Sequence, residues 1–216
     1  MAILRRKGGL LAGGMGRAGN FSALPDSAPV TLALDTFTDT NGVALDAHTM
    51  DVGSGWTHQI GTTQIQSNKA VSNVTGSGAV HNTNDVGVAN LTIEMIATVY
   101  FVDSANDTSA AILSRYVDAN NFWMTRIHTD TNTFDLFENT GGSFTQRDTA
   151  SVSIDDATTY TLKITPDGDD ITALLDGGNE LTYTSSQHNT ATLHGFRTVE
   201  NGTATSPTID SWTATA

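Results

Sequence analysis

The chain has 216 residues, a net charge of −13, 38% hydrophobic and 15% charged residues, and no cysteine. That length suits one large β domain or two small ones, and the apolar share supports a core where a disordered polyelectrolyte would not. Disulfides and thiolate metal sites are excluded, and no run approaches the roughly 18 apolar residues that span a bilayer. Serine and threonine are abundant while Glu and Lys are scarce, which favours strands over helices.

Residues 1–30 read as a basic, glycine-rich arm followed by a proline linker. Residues 1–20 carry Arg5, Arg6, Lys7 and Arg17 and no acid, so the remainder carries −17. Gly8, Gly9, Gly13 and Gly14 interrupt the apolar stretch, and no signal peptide is expected. Pro25 and Pro29 predict an extended connector. The arm is expected to pair its cations with carboxylates on a partner, its glycines letting the backbone lie close. A body this acidic repels nucleic acid and anionic membranes, so neither is an expected partner.

From residue 31 the chain alternates period-2 runs with Gly, Asn and Asp turns, predicting short strands and no helix. The first strands are Thr31–Thr38, Trp56–Ile60, Thr63–Gln66, Ala70–Val74 and Ala79–His81. The clearest is Asn90–Phe101, with Leu91, Ile93, Met95, Ala97, Val99 and Phe101 on one face. A meander follows through Ser109–Tyr116, Asn121–Ile127, Thr133–Asn139 and Ser143–Asp148. Thr159–Thr165 and Asp170–Asp176 form a hairpin around Asp167-Gly168. Glu180–Thr184, Leu193–Glu200 and Pro207–Thr213 complete the set. An antiparallel two-sheet sandwich, a jelly roll, accommodates them.

Three segments carry a resemblance. They are Asp35-Thr36-Phe37-Thr38-Asp39-Thr40-Asn41-Gly42 with His48 and Asp51-Val52-Gly53-Ser54-Gly55-Trp56-Thr57; Ser114-Arg115-Tyr116-Val117-Asp118-Ala119-Asn120-Asn121-Phe122; and the hairpin Tyr160–Ile164 with Asp169–Gly177. Together they resemble the concanavalin A-like lectin/glucanase superfamily in its laminin-G-like form, a module found in bacterial surface proteins and in phage virion proteins. The resemblance covers residues 31–216. It implies two stacked sheets with first and last strands adjacent, Ile209–Trp212 beside Leu34–Phe37.

Glucanases of that superfamily use Glu-x-Asp-x-x-Glu on one strand, which sets an acid and a nucleophile on one face. This chain has four glutamates, Glu94, Glu138, Glu180 and Glu200, none in such a motif; it is expected to be non-enzymatic. Gly14-Met15-Gly16-Arg17-Ala18-Gly19 matches a dinucleotide-binding glycine pattern but lacks the strand before it and the helix after it. The six histidines show no metal-ligand spacing. Asp167, Asp169 and Asp170 could supply oxygens to a calcium ion, although the turn itself also calls for Asp-Gly. No other cofactor is implied. A sugar would stack on an exposed ring, and Trp123, Tyr116 and Tyr183 are the candidates, with Trp56 and Trp212 assigned to the core.

The functional expectation is a virion structural protein on the particle surface, a capsid-decorating or tail/fibre subunit, contacting other virion proteins and copies of itself through the arm. The alternative is a lectin-like module for cell-surface glycan. A genome-binding coat protein ranks last, because four cations neutralise little nucleic acid. A chain beginning near Ser27 is expected to melt at a nearly unchanged temperature yet fail to join its particle or oligomer; normal occupancy by the truncated chain, measured by gel densitometry of assembled particles, contradicts the anchoring role of Arg5, Arg6, Lys7 and Arg17.

Overall fold

The computed structural model describes residues 28–73, 78–100, 108–200 and 205–216. The arm cations Arg5, Arg6, Lys7 and Arg17 and the glycine motif at 14–19 lie outside the described residues. The chain is a two-sheet antiparallel sandwich of fifteen strands. One sheet holds β13 (Gly178–Thr184), β12 (Asp170–Leu175), β11 (Thr158–Asp167), β6 (Thr92–Val99), β15 (Thr208–Thr215), β4 (Ala70–Ser72) and β3 (Thr63–Ile65), in that order, with β1 (Thr31–Asp35) also on β15. The other holds β10 (Ser143–Ser151), β9 (Thr133–Thr140), β8 (Asn121–His128), β7 (Ser109–Asp118), β14 (Leu193–Glu200), β5 (Gly78–Asp85) and β2 (Thr57–Ile60).

The alternation in the sequence accounts for the layers. Ile93, Met95, Ala97 and Val99 of β6 and Leu162 and Ile164 of β11 point inward from one sheet. Ile112 of β7, Trp123 and Ile127 of β8, and Phe134 and Leu136 of β9 meet them from the other. The hairpin turns have the backbone their residues predict. Gly168 follows Asp167 with φ +58°, and Gly141 and Gly142 both have positive φ, as two-residue turns require.

The first and last strands are neighbours, as the resemblance implies. Their register sets Asp35 opposite Trp212 and Leu34 opposite Thr213, while Ile209 pairs with Ala70 of β4. β1 is shorter than the predicted Thr31–Thr38 because the chain turns at Phe37, whose φ is +53°. The fully buried Asp35 carboxylate holds that turn. It accepts the Phe37 amide at 2.7 Å, the Trp56 indole N–H at 2.6 Å and a bond from His48 Nε2 at 3.0 Å. His48 Nδ1 is bonded to Asp39 at 2.9 Å, and Asp51 accepts both the amide and the hydroxyl of Thr36. Phe37, Trp56, Trp212 and Phe196 then pack ring against ring, drawing together both sheets.

Three further constraints fix the arrangement. Arg115, fully buried with φ +48°, donates to the carbonyls of Ala89 and Gly168 and to Asn90 Oδ1, tying the β5–β6 connection to the β11–β12 turn. Across the open side of the sandwich, Asp148 of β10 accepts the Thr182 amide of β13 at 2.9 Å. Gly195 of β14 lies so close to β5 that a Cβ there would fall 1.8 Å from the Asn82 carbonyl oxygen. Gly195→Ala is therefore expected to cost about 3 kcal/mol, since backbone, not a yielding side chain, must move. An unchanged urea midpoint in that variant contradicts the β5–β14 register.

Candidate functional site

The outer face of the seven-stranded sheet carries a second apolar cluster. Ala111, Leu113 and Tyr116 of β7 and Phe122 and Met124 of β8 are buried there, with Phe137 of β9 and Leu193 of β14 against them. Side chains from both flanks roof this floor. Phe144 of β10 is half exposed and meets Phe122 edge-on at 5.8 Å and Phe137 at 6.4 Å. Three strands separate β10 from β14, about 19 Å in a flat sheet. Yet the Arg197 guanidinium lies 6.0 Å from the Phe144 ring, because the two side chains lean together over the intervening strands. The β10 bulge between Gln146 and Asp148 bends that edge strand. The result is a cavity of about 220 Å³ lined by Met124, Arg126, Phe137, Phe144 and Arg197.

The charges on this face are fixed in place. Arg126 lies 4.6 Å over the Phe137 ring while its Nε donates to Asp135 at 3.1 Å. Asp135 also accepts from Thr133, Gln146 and Thr149, so its carboxylate is fully engaged. Arg197 Nε donates to His81 Nε2 at 3.1 Å. An Nε2 that accepts leaves the His81 proton on Nδ1. That Nδ1 and the Tyr116 hydroxyl are buried without a partner. Burial, with Arg197 alongside, brings the His81 pKa down to about 3; burial, with Asp118 nearby, pushes the Tyr116 phenol up to about 12. Both groups are neutral at ordinary pH.

The residues singled out from sequence fall in different places. Tyr116 is on this floor, stacked on Phe122 at 5.5 Å and almost wholly covered. Trp123 corrects the expectation of a stacking ring. It is fully buried between the sheets, with its indole N–H bonded to the Gln187 carbonyl, and presents no face to a sugar. The alternation along β8 puts Phe122 and Met124 outward in its stead. Tyr183 packs on Trp123 and under the Arg147 guanidinium, and Arg147 pairs with Glu138 at 2.8 Å. Asp167, Asp169 and Asp170 do not converge as calcium ligands. Among the described residues no group of three or more His, Asp or Glu is placed to hold a metal. Asp169 and Asp170 accept from Asn189 and Thr184, and the cation beside Asp169 and Asp167 is the buried Arg115. Glu94 pairs with Lys163 at 3.0 Å on the outer face of the other sheet. Two larger hollows on that sheet, about 480 and 320 Å³, have no aromatic ring in their linings.

The site residues not foreseen are Phe144, Phe137, Arg126, Arg197 and His81. The signal for two of them lies in β8 and β9, where Phe122, Met124 and Arg126 alternate on one face and face Asp135 and Phe137 across the strand pair. His194 is a further buried neutral histidine, its Nε2 bonded to the Val88 carbonyl and burial bringing its pKa down to about 4. On unfolding, His81 and His194 return to the ordinary value near 6.5 and take up protons below it. Their stabilisation is full above about pH 6.5 and falls as pH drops toward 4. For His48, burial is outweighed by Asp39 and Asp35 and the pKa is raised, so it acts in the opposite sense, favouring the fold below 6.5. Two histidines are lowered against one raised, so the net expectation is a loss of stability between about pH 7.5 and 4.5. Urea unfolding at the two pH values measures it, and His81→Gln is expected to flatten the dependence.

No protein-family model and no curated protein sequence matches the chain. Solved structures do match in fold. A carbohydrate-binding module CBM66 from Bacillus subtilis aligns at 18% identity over 73% of this chain and 92% of its own, with a TM-score of 0.57. The Bacillus licheniformis β-glucanase aligns at 13% identity over 85% and 96%, with a TM-score of 0.57. The CBM2 module of the evolved Dit of Lactobacillus casei BL23 phage J-1 aligns at 14% identity over 87% and 95%, with a TM-score of 0.58. The strand order, the inward faces and these likenesses in fold make the described strands a two-sheet antiparallel jelly roll with the concanavalin A-like fold.

Proposed function

We propose that the chain is a non-enzymatic, glycan-binding module carried on the surface of a virus particle, where it serves attachment. The observation that carries the binding role is the cavity on the outer face of the seven-stranded sheet, with the half-exposed Phe144 ring on one side and two guanidiniums beside it. An exposed ring offers a flat apolar platform to a pyranose, and fixed donors around it orient hydroxyls. The module likenesses from Bacillus subtilis and from a phage Dit support the same reading.

The non-enzymatic part rests on carboxylates. Retaining and inverting glycosidases both need a pair flanking the scissile bond. The cavity lining contains none, and Asp135 beneath it is held by four donors. The particle part rests on the basic arm of residues 1–20 against an acidic body, which suits anchoring to another virion protein as a decorating or tail/fibre subunit present in many copies.

A shallow one-ring contact predicts millimolar affinity per site, about 4 kcal/mol, raised to useful strength only by multiple display. Calorimetry with a panel of oligosaccharides is expected to show such binding and its loss in Phe144→Ala, with no release of reducing ends from β-glucans. Hydrolysis that disappears in Asp135→Asn contradicts the reading, as does glycan binding unaffected by Phe144→Ala.

A further inference from the structure

We infer that the cavity beside Phe144 selects a 6-deoxyhexose, taking the C6 methyl group into the recess at Met124 and Phe137 while the sugar ring lies on Phe144. This rests on the glycan-binding reading above and deepens it by naming the class of sugar.

The recess is built on a cross-strand pair. Met124 of β8 and Phe137 of β9 are opposite partners in register, so their side chains stand side by side on the outer face. Met124 is almost wholly covered and Phe137 packs against the same apolar cluster. Phe144 meets Phe137 edge-on at 6.4 Å and stays half exposed. The Arg126 guanidinium lies 4.6 Å over the Phe137 ring, and that of Arg197 lies 6.0 Å from the Phe144 ring. The space they bound, about 220 Å³, is smaller than the roughly 300 Å³ at which pockets begin to enclose a drug-sized ligand. It suits one edge of a single sugar and not a run of rings.

What this space lacks is an acceptor for a hydroxyl proton. None of its five lining side chains carries a hydroxyl, an amide or a carboxylate. A guanidinium has only donors, and a thioether is a weak acceptor. β8 and β9 lie inside the sheet, so their carbonyls are spent in the ladders. The Asp135 carboxylate already accepts from Arg126, Thr133, Gln146 and Thr149. A hydroxymethyl group pushed into the recess gives up its water and leaves its O–H unmet. A methyl group leaves nothing unmet and gains contact with the Met124 thioether and the Phe137 ring. An acetamido group also ends in a methyl, but it brings an N–H that needs the same missing acceptor. The remaining hydroxyls of a sugar lying on the half-exposed Phe144 ring stay in water.

The test uses matched pairs that differ only at C6: L-fucose with L-galactose, L-rhamnose with L-mannose, and 6-deoxy-D-glucose with D-glucose. N-acetyl-D-glucosamine is the acetamido control. NMR titration of the full chain is expected to favour the 6-deoxy sugar by about tenfold in at least one pair, the low end for one added hydroxyl in a hydrophobic pocket. An intermolecular NOE from the sugar C6 methyl to the Met124 methyl is expected in that complex. Met124→Gln, which puts an acceptor into the recess, is expected to bring the ratio close to one, and Phe144→Ala to weaken both members of the pair alike. Thermal melts identify a variant that fails to fold, and the matched pairs on the unmodified chain then decide. Equal affinity within all three pairs, with Phe144 still required, overturns the methyl selectivity and leaves glycan binding standing. N-acetyl-D-glucosamine binding more tightly than every 6-deoxy sugar overturns the C6 assignment. Failure of every sugar, including the oligosaccharide panel, to bind overturns both readings.

Discussion

The Asp35 carboxylate sits between the two sheets with no solvent contact, and much of the sandwich is arranged around it. A buried charge without partners is prohibitively costly, so it has to be answered by donors. The Phe37 amide answers from the turn after β1, the Trp56 indole from the approach to β2, and His48 from the connection between them. Because β1 belongs to one sheet and β2 to the other, these bonds join the layers at one end. They also hold Phe37 and Trp56 where Phe196 and Trp212 can pack on them. The Trp212 indole in turn donates to the Gly195 carbonyl across the same gap. A polar nucleus inside an aromatic shell specifies which strands face each other, which hydrophobicity alone does not.

With the layers fixed, the outer face of the seven-stranded sheet is free to be something other than core. Its floor is apolar and buried, but the side chains that cover it are two arginines and a phenylalanine. A solvent-facing sheet surface is ordinarily dotted with Thr and charged pairs, as the opposite sheet is around Thr92, Thr165, Glu94 and Lys163. The contrast between the two outer faces is what distinguishes the candidate site from ordinary surface.

The fold was largely legible in the sequence, because period-2 alternation and Gly/Asp turns report directly on strands and hairpins. The inward set of β6 and the hairpin at Asp167-Gly168 were readable residue by residue. Asp35, His48 and Trp56 were visible as a pattern, though not as one bonded network, since hydrogen bonds between residues up to 21 positions apart leave no local trace. The site was only partly legible. Tyr116 was named as an exposed stacking ring but is almost wholly covered on the outer face, and Trp123 could not be told from Phe122 because adjacent strand residues point to opposite sides and the absolute orientation depends on the whole sandwich. Phe144 and Arg197 lie 53 residues apart in sequence and meet only because β10 and β14 belong to one sheet. The arm residues Arg5, Arg6, Lys7 and Arg17 retain the role that their charge suggests as a proposal.

The bond from the Thr182 amide to Asp148 has a consequence for crowding. β10 and β13 are the outermost strands of their sheets on the same side of the molecule, and an outermost strand is a template on which another chain can add. Here one edge consumes a donor of the other, and the acceptor is a charged side chain on a bulged strand that resists flat pairing. Two risky borders are thereby made to cover each other. The bond leaves these two borders less open to edge-on pairing with another chain.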